Sequence, residues 1–312
     1  MNAPLIVWIN QTAGSGLGRR WGERALKAFA DQGIAVVPVI STDAHLAANA
    51  AQALLRQGAR GLVCVGGDGT VHYGLQLVAG TGIPFGIVPA GSGDDIARAA
   101  GMVQSDPSRC LAQIAVALRI PVDALPTMDL GRATAPGPDA LPRWFGATLY
   151  AGFDARVNAR ANAMSLPRGR ARYPVAMLAE LATFAPSPFM ISIDDGPVWR
   201  QEACVVVVAN GSSYGGGMQV VPHASAHDGV LDMMLLEGVS RLTLLKVFPR
   251  VYAGTHGLHP AVRFHSGHRI TLDAPGLDAY ADGERVGPLP ISIDVVPAAL
   301  TLLRPTSDTS GG

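Results

Sequence analysis

The chain has 312 residues, enough for two domains with a substantial core, and 48% of them are hydrophobic. The 24 basic residues balance the 24 acidic ones, so no net charge favours binding to nucleic acid. No apolar run reaches the roughly 18 residues of a membrane-spanning helix, and the N-terminal segment lacks the basic region of a signal peptide. We expect a cytoplasmic protein without nucleic-acid partners.

Cysteine and lysine usage narrows the possible chemistry. Cys64, Cys110 and Cys204 are isolated in the sequence, which predicts buried free thiols rather than a disulfide or a zinc site. The only lysines are Lys27 and Lys246, and neither follows a glycine-rich loop. This excludes the lysine-dependent phosphate sites of P-loop proteins and protein kinases. Any phosphate group must therefore be bound by backbone amides, arginine or a metal ion.

Predicted strands and helices alternate in the first part of the chain. Short apolar runs predict strands at 4–10, 34–40, 61–65 and 84–89. A glycine-rich turn at 13–18 opens a predicted amphipathic helix that extends to about 32, and Asp43 is the predicted cap of an alanine-rich helix that extends to 58. Further helices are predicted at 71–79, around 94–98 and near 106–118. This alternation predicts a doubly wound α/β domain, which binds ligands beyond the carboxyl ends of its parallel strands.

Glycine-rich turns follow three of these strands and therefore lie at the same edge of the predicted sheet. The turn at 66–70 reads Gly-Gly-Asp-Gly-Thr directly after a buried strand, which favours a phosphate or nucleotide site over an ordinary turn. The turn at 91–95 reads Gly-Ser-Gly-Asp-Asp. A helix cap accounts for one of its acids, and a carboxylate there could accept a proton from a substrate hydroxyl or hold a metal-bound water.

The second part of the chain is rich in predicted strands, at 122–130, 144–150, 189–193, 198–210, 231–236, 262–265, 269–272 and 291–296. Two helices, at 173–184 and 240–252, interrupt the series. This pattern predicts an all-β domain, best described as a β-sandwich. We place the α/β domain at 1–124 with a return of the chain near 298–305, the β-sandwich at 125–297, and a disordered tail at 306–312.

Four other patterns have competing interpretations. Ala-Asp-Gly-Glu at 281–284 is a hairpin signal followed by what could be a surface charge. Five arginines and no acid lie between 156 and 172, which fits either a solvated basic face or contact with phosphates or anionic lipid headgroups. The G-x-S-x-G pattern at 211–215 lacks the helix of a nucleophile elbow. Histidine pairs at 256/259 and 265/268 lack the supporting ligands of a metal site.

Together these motifs resemble those of the bacterial diacylglycerol-kinase-type lipid kinases, which are related to sphingosine and ceramide kinases and more distantly to NAD kinases and phosphofructokinases. Seven motifs occur in order: Asn10 with Gly14, GGDGT at 66–70, GSGDD at 91–95, GFDA at 152–155, YGGGM at 214–218, HDGVLD at 227–232 and ADGE at 281–284. The resemblance implies a nucleotide-binding α/β domain, a lipid-binding β-sandwich, and transfer of the γ-phosphoryl group of ATP to a lipid hydroxyl, most simply that of diacylglycerol.

The resemblance also implies roles for individual residues. Those implied to contact the nucleotide are Asn10, Gly66, Gly67, Gly69, Thr70, Gly91, Ser92, Gly93, Arg168 and Arg172. Asp68, Asp95 and Glu284 form the implied acidic set that organises Mg²⁺ and activates the hydroxyl, with Asp95 as the expected base. Asp228 corresponds to a structural Mg²⁺ position in the second domain. A lipid acceptor implies peripheral membrane contact, and a homodimer is an open alternative to a monomer.

The chain departs from the family pattern at Gln11, Ser92 and Asp94, where proline, threonine and asparagine are usual. Asp94 adds a carboxylate beside the phosphates, which weakens the attraction for nucleotide unless Mg²⁺ or an arginine offsets it. The rival functions are an NAD kinase, a kinase of another lipid alcohol such as a sphingoid base, a catalytically silent nucleotide-binding regulatory protein, and a hydrolase that uses Ser213.

Overall fold

The structure is a computed structural model that describes residues 3–102, 106–137, 140–164, 166 and 172–305. The described chain folds into two compact units. Unit 1 extends to Leu130 and also includes Ala226–Asp228 and the segment from Val296 onward, and unit 2 holds the rest. The domain limits predicted above stay a prediction, and the predicted tail at 306–312 lies outside the described residues.

Unit 1 contains a four-stranded parallel sheet with helices, which confirms the predicted α/β fold. The strands are β1 (Leu5–Ile9), β2 (Val36–Ile40), β3 (Gly61–Gly66) and β4 (Phe85–Pro89), in the spatial order β2-β1-β3-β4. The helices are α1 (Leu17–Ala30), α2 (Ala44–Arg56), α3 (Asp68–Val78), α4 (Asp95–Ala99) and α5 (Pro107–Ala117). The strand order reverses between β1 and β3, which is the position where sheets of this kind bind ligands.

Burial explains why these strands form the centre of unit 1. Every residue of β1, β3 and β4 is buried, so each strand needs apolar side chains on both faces, and their sequences supply them. Strand β2 lies at the sheet edge and is only partly buried. Phe29 of α1 is fully buried in the same core as Val7 and Val63. The carboxyl ends of β1, β3 and β4 are therefore fixed side by side.

Unit 2 is built on antiparallel strands, which confirms the predicted β-rich class. In the described part of the chain eleven strands pair, in the order β14-β13-β7-β9-β8-β12-β15-β5-β6, with β10 joined to β9 and β11. They are β5 (Thr127–Thr134), β6 (Arg143–Phe145), β7 (Thr148–Gly152), β8 (Ser187–Ile193), β9 (Trp199–Ala209), β10 (Leu231–Glu237), β11 (Val262–Gly267), β12 (Arg269–Asp273), β13 (Asp278–Ala281), β14 (Glu284–Pro288) and β15 (Ile291–Thr301).

Strand β9 separates two hydrophobic cores in unit 2. Val206 and Val208 belong to a core formed by strands and the loops between them, whereas Val205 and Val207 pack with the helices on the other face. Those helices are α6 (Phe153–Ala163), α7 (Arg172–Thr183) and α8 (Arg241–Tyr252). Because successive strand residues face opposite sides, an uninterrupted apolar run such as that of β9 is what a strand buried on both faces requires.

The structure differs from the sequence-based prediction at several elements. Residues Val122–Ala124 form a short 3-10 turn, and β5 begins only at Thr127, after Pro126, which has no N–H group for strand pairing. The predicted strand at 144–150 is two strands, separated by Gly146 and Ala147. Helix α6 was not predicted, and the hairpin expected at 282–283 is present as β13 and β14. All three cysteines are buried thiols outside any disulfide, as predicted.

The Asp43 cap gives a direct test of the local structure of unit 1. Its side chain accepts hydrogen bonds from the N–H groups of His45 at 2.8 Å and Leu46 at 3.1 Å, as predicted for an N-cap. We expect Asp43→Ala to lower the free energy of unfolding by about 1 kcal/mol in urea denaturation. The control is the exposed Asp31, which pairs with the exposed Lys27, and Asp31→Ala should cost less than about 0.5 kcal/mol. Equal losses would contradict the capping role.

Candidate active site

Three loops meet backbone to backbone at the carboxyl edge of the unit 1 sheet, which we call the three-loop edge. A Cβ atom on Gly14, in the loop after β1, would lie 2.2 Å from the carbonyl oxygen of Ala90, in the loop after β4. A Cβ atom on Gly91 would lie 2.6 Å from the Cα atom of Gly67, in the loop after β3. Both distances are shorter than any allowed contact, so only glycine permits this approach. The structure thus brings the three predicted glycine turns together.

Asn10 and Thr70 join two of these loops through their side chains. The Asn10 Nδ2 atom donates a hydrogen bond to Thr70 Oγ1 at 3.0 Å, and Thr12 donates through its N–H and its hydroxyl to Asn10 Oδ1. Thr70 is only 5% exposed, and a Cβ atom on Gly66 would lie 2.5 Å from its hydroxyl oxygen. Asn10, Gly66 and Thr70 therefore form one packed group.

Helix α3 begins inside the Gly-Gly-Asp-Gly-Thr segment, at Asp68 rather than at the predicted Val71. Gly67 is its N-cap and provides no side-chain hydrogen bond to the first turn. The Val71 N–H group makes the first helical bond, to the Gly67 carbonyl at 3.1 Å. The N–H groups of the first turn, which have no partner within a helix, and the positive end of the helix dipole therefore lie at the three-loop edge.

The predicted acids of unit 1 lie close together. Asp68 Oδ1 accepts a hydrogen bond from the N–H group of Ile96 at 3.2 Å, and Ile96 directly follows Asp95. Asp95 is buried and forms an ion pair with Arg98 at 2.5 Å. Arg98 also donates to the carbonyl oxygen of Gly93 at 3.3 Å, which holds the third loop against α4. This role of Arg98 was not predicted from the sequence. The available signal was its position three residues after Asp95, about one helical turn.

Asp94 shapes the third loop. It adopts a left-handed conformation with φ of 54°, and its Oδ1 atom accepts a hydrogen bond from the Gly91 N–H group at 3.0 Å. Burial raises its pKa to about 6, helped by the charge of Asp95 and opposed by the Gly91 hydrogen bond and by Arg98. An asparagine side chain has the same acceptor oxygen, so the hydrogen bond from Gly91 does not require a carboxylate. Compared with asparagine, Asp94 adds a buried charge to the loop. Ser92 is exposed at the loop tip.

Unit 2 holds the other predicted acid, Glu284, at the start of β14. The neighbouring Asp282 accepts hydrogen bonds from three successive N–H groups, of Gly146 at 2.9 Å, Ala147 at 2.9 Å and Thr148 at 3.2 Å. Asp282 is therefore a structural residue that closes the gap between β6 and β7. Glu284 is partly buried and makes no hydrogen bond or ion pair with the residues that the structure describes.

A polar chain holds the turn before Glu284. Asn158 of α6 donates to the Gly283 carbonyl at 2.8 Å, and the Tyr173 hydroxyl of α7 donates to Asn158 Oδ1 at 2.9 Å. Burial is the main cause of the raised pKa of Tyr173. The charge of Arg172 lowers this pKa and the charge of Glu284 raises it, so both charged groups act on the phenol. Helices α6 and α7 thus set the position of the turn.

The arginine-rich stretch divides into two groups. Arg156 and Arg160 pair with the buried Glu180 of α7, at 3.2 Å and 2.5 Å, so neither is simply a solvated charge. Arg172 has a buried Nε atom without a hydrogen-bond partner in the described part of the chain. Arg168, the other arginine predicted to contact the nucleotide, lies outside the described residues. The partner acid was missed because it is distant in sequence.

Asp228 belongs to unit 1, and its predicted role at a structural Mg²⁺ position stays a prediction. Its segment is held against the start of β5, because the Asp129 N–H group donates to the Ala226 carbonyl at 2.8 Å and His227 Nδ1 lies 3.0 Å from the Thr127 carbonyl oxygen. Asp228 is exposed. Among the described residues no group of three or more histidine, cysteine or acidic side chains is arranged to hold a metal ion.

Two further polar groups make contacts that the sequence did not predict. The Tyr214 hydroxyl donates a hydrogen bond to Asp154, and burial raises the pKa of Asp154 to about 6 against that hydrogen bond. Both residues belong to motifs noted in the sequence, GFDA and YGGGM. His256 is 1% exposed, and its Nε2 atom lies 2.8 Å from the Val220 carbonyl oxygen, so it has a structural role. Ser213 is buried and the residues directly after it form no helix, so the hydrolase alternative gains no support.

Two protein-family models and several curated proteins match this chain. Residues 4–126 match the diacylglycerol kinase catalytic domain, and residues 147–304 match the YegS C-terminal NAD kinase beta sandwich-like domain. A diacylglycerol kinase of Mycobacterium tuberculosis is 37% identical over 297 residues, which cover 95% of this chain and 93% of that protein. The chain belongs to the diacylglycerol kinase family.

The fold of this diacylglycerol kinase family member is also similar to solved structures. A diacylglycerol kinase of Bacillus anthracis has a TM-score of 0.68 at 17% identity, with 97% of both chains covered. An NAD kinase of Archaeoglobus fulgidus in complex with ATP has a TM-score of 0.55 at 14% identity, covering 97% of this chain and 94% of that one. At these identities the likeness shows the fold alone.

The contact between Gly67 and Gly91 can be tested by adding one methyl group. We expect Gly91→Ala to push the two loops apart and to weaken ATP binding by about tenfold or more, since a 2.6 Å contact between backbone carbons cannot be kept. Isothermal titration calorimetry measures the affinity, and circular dichroism checks folding. Gly238→Ala is the control, because its nearest atoms would lie at 3.4 Å, an ordinary contact. Unchanged affinity for Gly91→Ala would contradict the role of this contact.

The raised pKa of Asp94 predicts a pH-dependent stability. The pKa of Asp94 is about 6 in the folded protein, against an ordinary value of 3.8. Between these two pH values the folded protein binds more protons than the unfolded chain, so the free energy of unfolding falls as the pH rises. We expect Asp94→Asn to raise the stability by about 1–2 kcal/mol near neutral pH and by little near pH ~4. Thermal denaturation at the two pH values measures this, with Asp31→Asn as the exposed control. A gain that is equal at both pH values would exclude Asp94 ionisation as its cause.

Proposed function

We propose that the protein is a lipid kinase that transfers the γ-phosphoryl group of ATP to the hydroxyl group of a diacylglycerol, giving phosphatidic acid. One observation carries the proposal: the three glycine loops meet in backbone contact around the start of α3, in a chain of the diacylglycerol kinase family. Phosphoryl transfer requires alignment and charge stabilisation more than covalent help, and such an edge offers backbone donors for phosphate oxygens.

We assign the nucleotide phosphates to the three-loop edge. The proposed contacts are Asn10, Gly66, Gly67, Gly69, Thr70, Gly91, Ser92 and Gly93. The buried Nε atom of Arg172 supports a contact with an anion, because a guanidinium nitrogen without an acceptor in the described part of the chain carries a desolvation penalty that a phosphate oxygen would remove. Arg168 stays a prediction.

Magnesium is the metal that the family implies, and we propose that the acids of unit 1 supply its protein ligands. Mg²⁺ is usually held by one or two carboxylates together with substrate phosphates and water, so a site of three protein ligands is not needed. When bound, it would neutralise charge on the transferred phosphoryl group. We propose Asp68 as the ligand nearest the phosphates and Asp228 as a separate structural ligand.

The acceptor hydroxyl needs a group to take its proton. We propose Asp95, which Arg98 holds in a fixed position at 2.5 Å, as the base. Glu284 is the alternative, because it makes no hydrogen bond or ion pair with any described residue and is positioned by the Gly283 turn. The chain's own contribution is to orient these carboxylates through Arg98 and through Asn158.

The acceptor lipid lies in a bilayer, so the proposal includes peripheral contact with a membrane surface. In the described residues no helix is both long and apolar enough to cross a bilayer. The likeness to an NAD kinase keeps NAD as a second acceptor to be tested, and a sphingoid base is a third. A homodimer stays a prediction.

The direct experiment measures transfer of labelled γ-phosphate from ATP to diacylglycerol, a sphingoid base and NAD, with the lipids in detergent micelles. We expect diacylglycerol to be the acceptor, and Asp95→Asn to reduce turnover by at least about a hundredfold, as loss of a general base does. Glu284→Gln should also abolish lipid phosphorylation, and circular dichroism should show that both variants are folded.

The matched controls are Asp31→Asn and Glu237→Gln, whose carboxylates lie outside the three-loop edge and the Gly283 turn. Turnover with NAD but not with a lipid would replace the proposal with NAD kinase activity. Binding of ATP without transfer to any acceptor would support the silent regulatory protein. Near-normal turnover of Asp95→Asn alone would transfer the role of base to Glu284.

A further inference from the structure

The outer surface of α7 is unusual for a helix exposed to water. Val175, Leu178, Ala179 and Ala182 recur at the spacing of one helix face, and all four are exposed, Leu178 to 57%. A helix that only borders solvent carries charged and polar residues at such positions. The single acid of α7, Glu180, points the other way and is buried against Arg156 and Arg160.

Helix α8 carries a second apolar stripe, bordered by positive charges. Leu242, Leu245 and Pro249 lie on its exposed face, and Leu242 is 72% exposed. Exposed cations border this stripe, and they are Arg241, Lys246 and Arg250. The opposite face holds Leu244, Val247 and Val251, which are buried. The helix therefore has apolar side chains on both faces, and the buried face packs in the core of unit 2.

The two stripes lie on the same side of unit 2. Both helices contribute to the core that covers one face of β9 and β10, through Ala176 of α7 and Leu244 of α8. Arg241 connects the helices, because its Nε atom donates to the Phe184 carbonyl at 2.7 Å and its Nη1 atom to the Ala182 carbonyl at 2.6 Å. We call the exposed residues of α7 and α8 the α7–α8 face.

We propose that the α7–α8 face docks on an anionic lipid bilayer, with its leucines among the upper acyl chains and its cations at the headgroups. The inference rests on the proposed function, since a kinase with a membrane-embedded acceptor must reach the bilayer. Basic residues that flank an apolar stripe are typical of helices that lie in the plane of a membrane interface. Their long side chains keep their charge in water while their stems cover apolar surface.

Charge decides between a bilayer and a second copy of this chain. In a symmetric dimer through the α7–α8 face, Arg241, Lys246 and Arg250 would meet the same cations of the other copy, with no exposed acid on α7 or α8 to pair them. Phosphatidylglycerol headgroups supply the missing negative charge, about 1 kcal/mol for each basic residue near the surface.

The test is co-sedimentation of the full chain with vesicles of phosphatidylcholine containing about a quarter phosphatidylglycerol. We expect binding of the wild type, weaker binding to pure phosphatidylcholine, and binding reduced by about tenfold or more in Leu178→Glu/Leu242→Glu and in Lys246→Glu/Arg250→Glu. The controls are Leu141→Glu, at an 81% exposed leucine outside the helices, and Arg56→Glu on α2, and both should bind as the wild type does.

Activity on diacylglycerol in detergent micelles separates docking from catalysis and from folding. The α7–α8 variants should keep turnover in micelles and lose it on vesicles. Wild-type vesicle binding without any lipid kinase activity would overturn the proposed function and leave the docking surface standing. The inference fails if wild type does not bind the anionic vesicles, if the α7–α8 variants bind them like the controls, or if sedimentation shows a dimer that Leu178→Glu/Leu242→Glu disrupts.

Discussion

The candidate site depends on how closely three loops approach one another at one edge of the unit 1 sheet. Gly67 and Gly91 meet at their Cα atoms, and Gly14 meets the Ala90 carbonyl, at distances that exclude any side chain. This approach places the start of α3 and the buried Thr70 at the same edge. The glycines are therefore needed for packing as well as for any approach of a ligand to the backbone.

Around this edge the charged residues act mostly by fixing the backbone. Asp68 holds α4 through the Ile96 N–H group, Asp94 closes the third loop, and Arg98 binds both Asp95 and the Gly93 carbonyl. A carboxylate that is fixed in this way is pre-organised, which is what positioning and electrostatic stabilisation require. In unit 2, Asp282 does the same for the backbone at 146–148, and Glu284 is left as the acid without a structural partner among the described residues.

Local patterns allowed much of the fold to be predicted, and long-range pairing accounts for what was missed. Buried strands such as β3, and the Asp43 cap, are visible in a few neighbouring residues, and the glycine turns at one edge follow from the parallel sheet. The pairing of Arg156 with Glu180 and the packing of Asp228 with unit 1 depend on residues far apart in sequence. Helix α6 lacks a strong amphipathic pattern because its buried positions include the polar Asn158. The family resemblance supplied the acidic roles, which spacing alone did not.

The most direct test of the central claim is amide hydrogen exchange with and without an ATP analogue and Mg²⁺. The account predicts that peptides covering 66–70 and 91–93 both become protected, because amides of two loops in contact would bind the same phosphates. It also predicts that Gly91→Ala reduces the protection of both peptides together. Protection of only one segment, or protection confined to other parts of the chain while lipid phosphorylation continues, would contradict it.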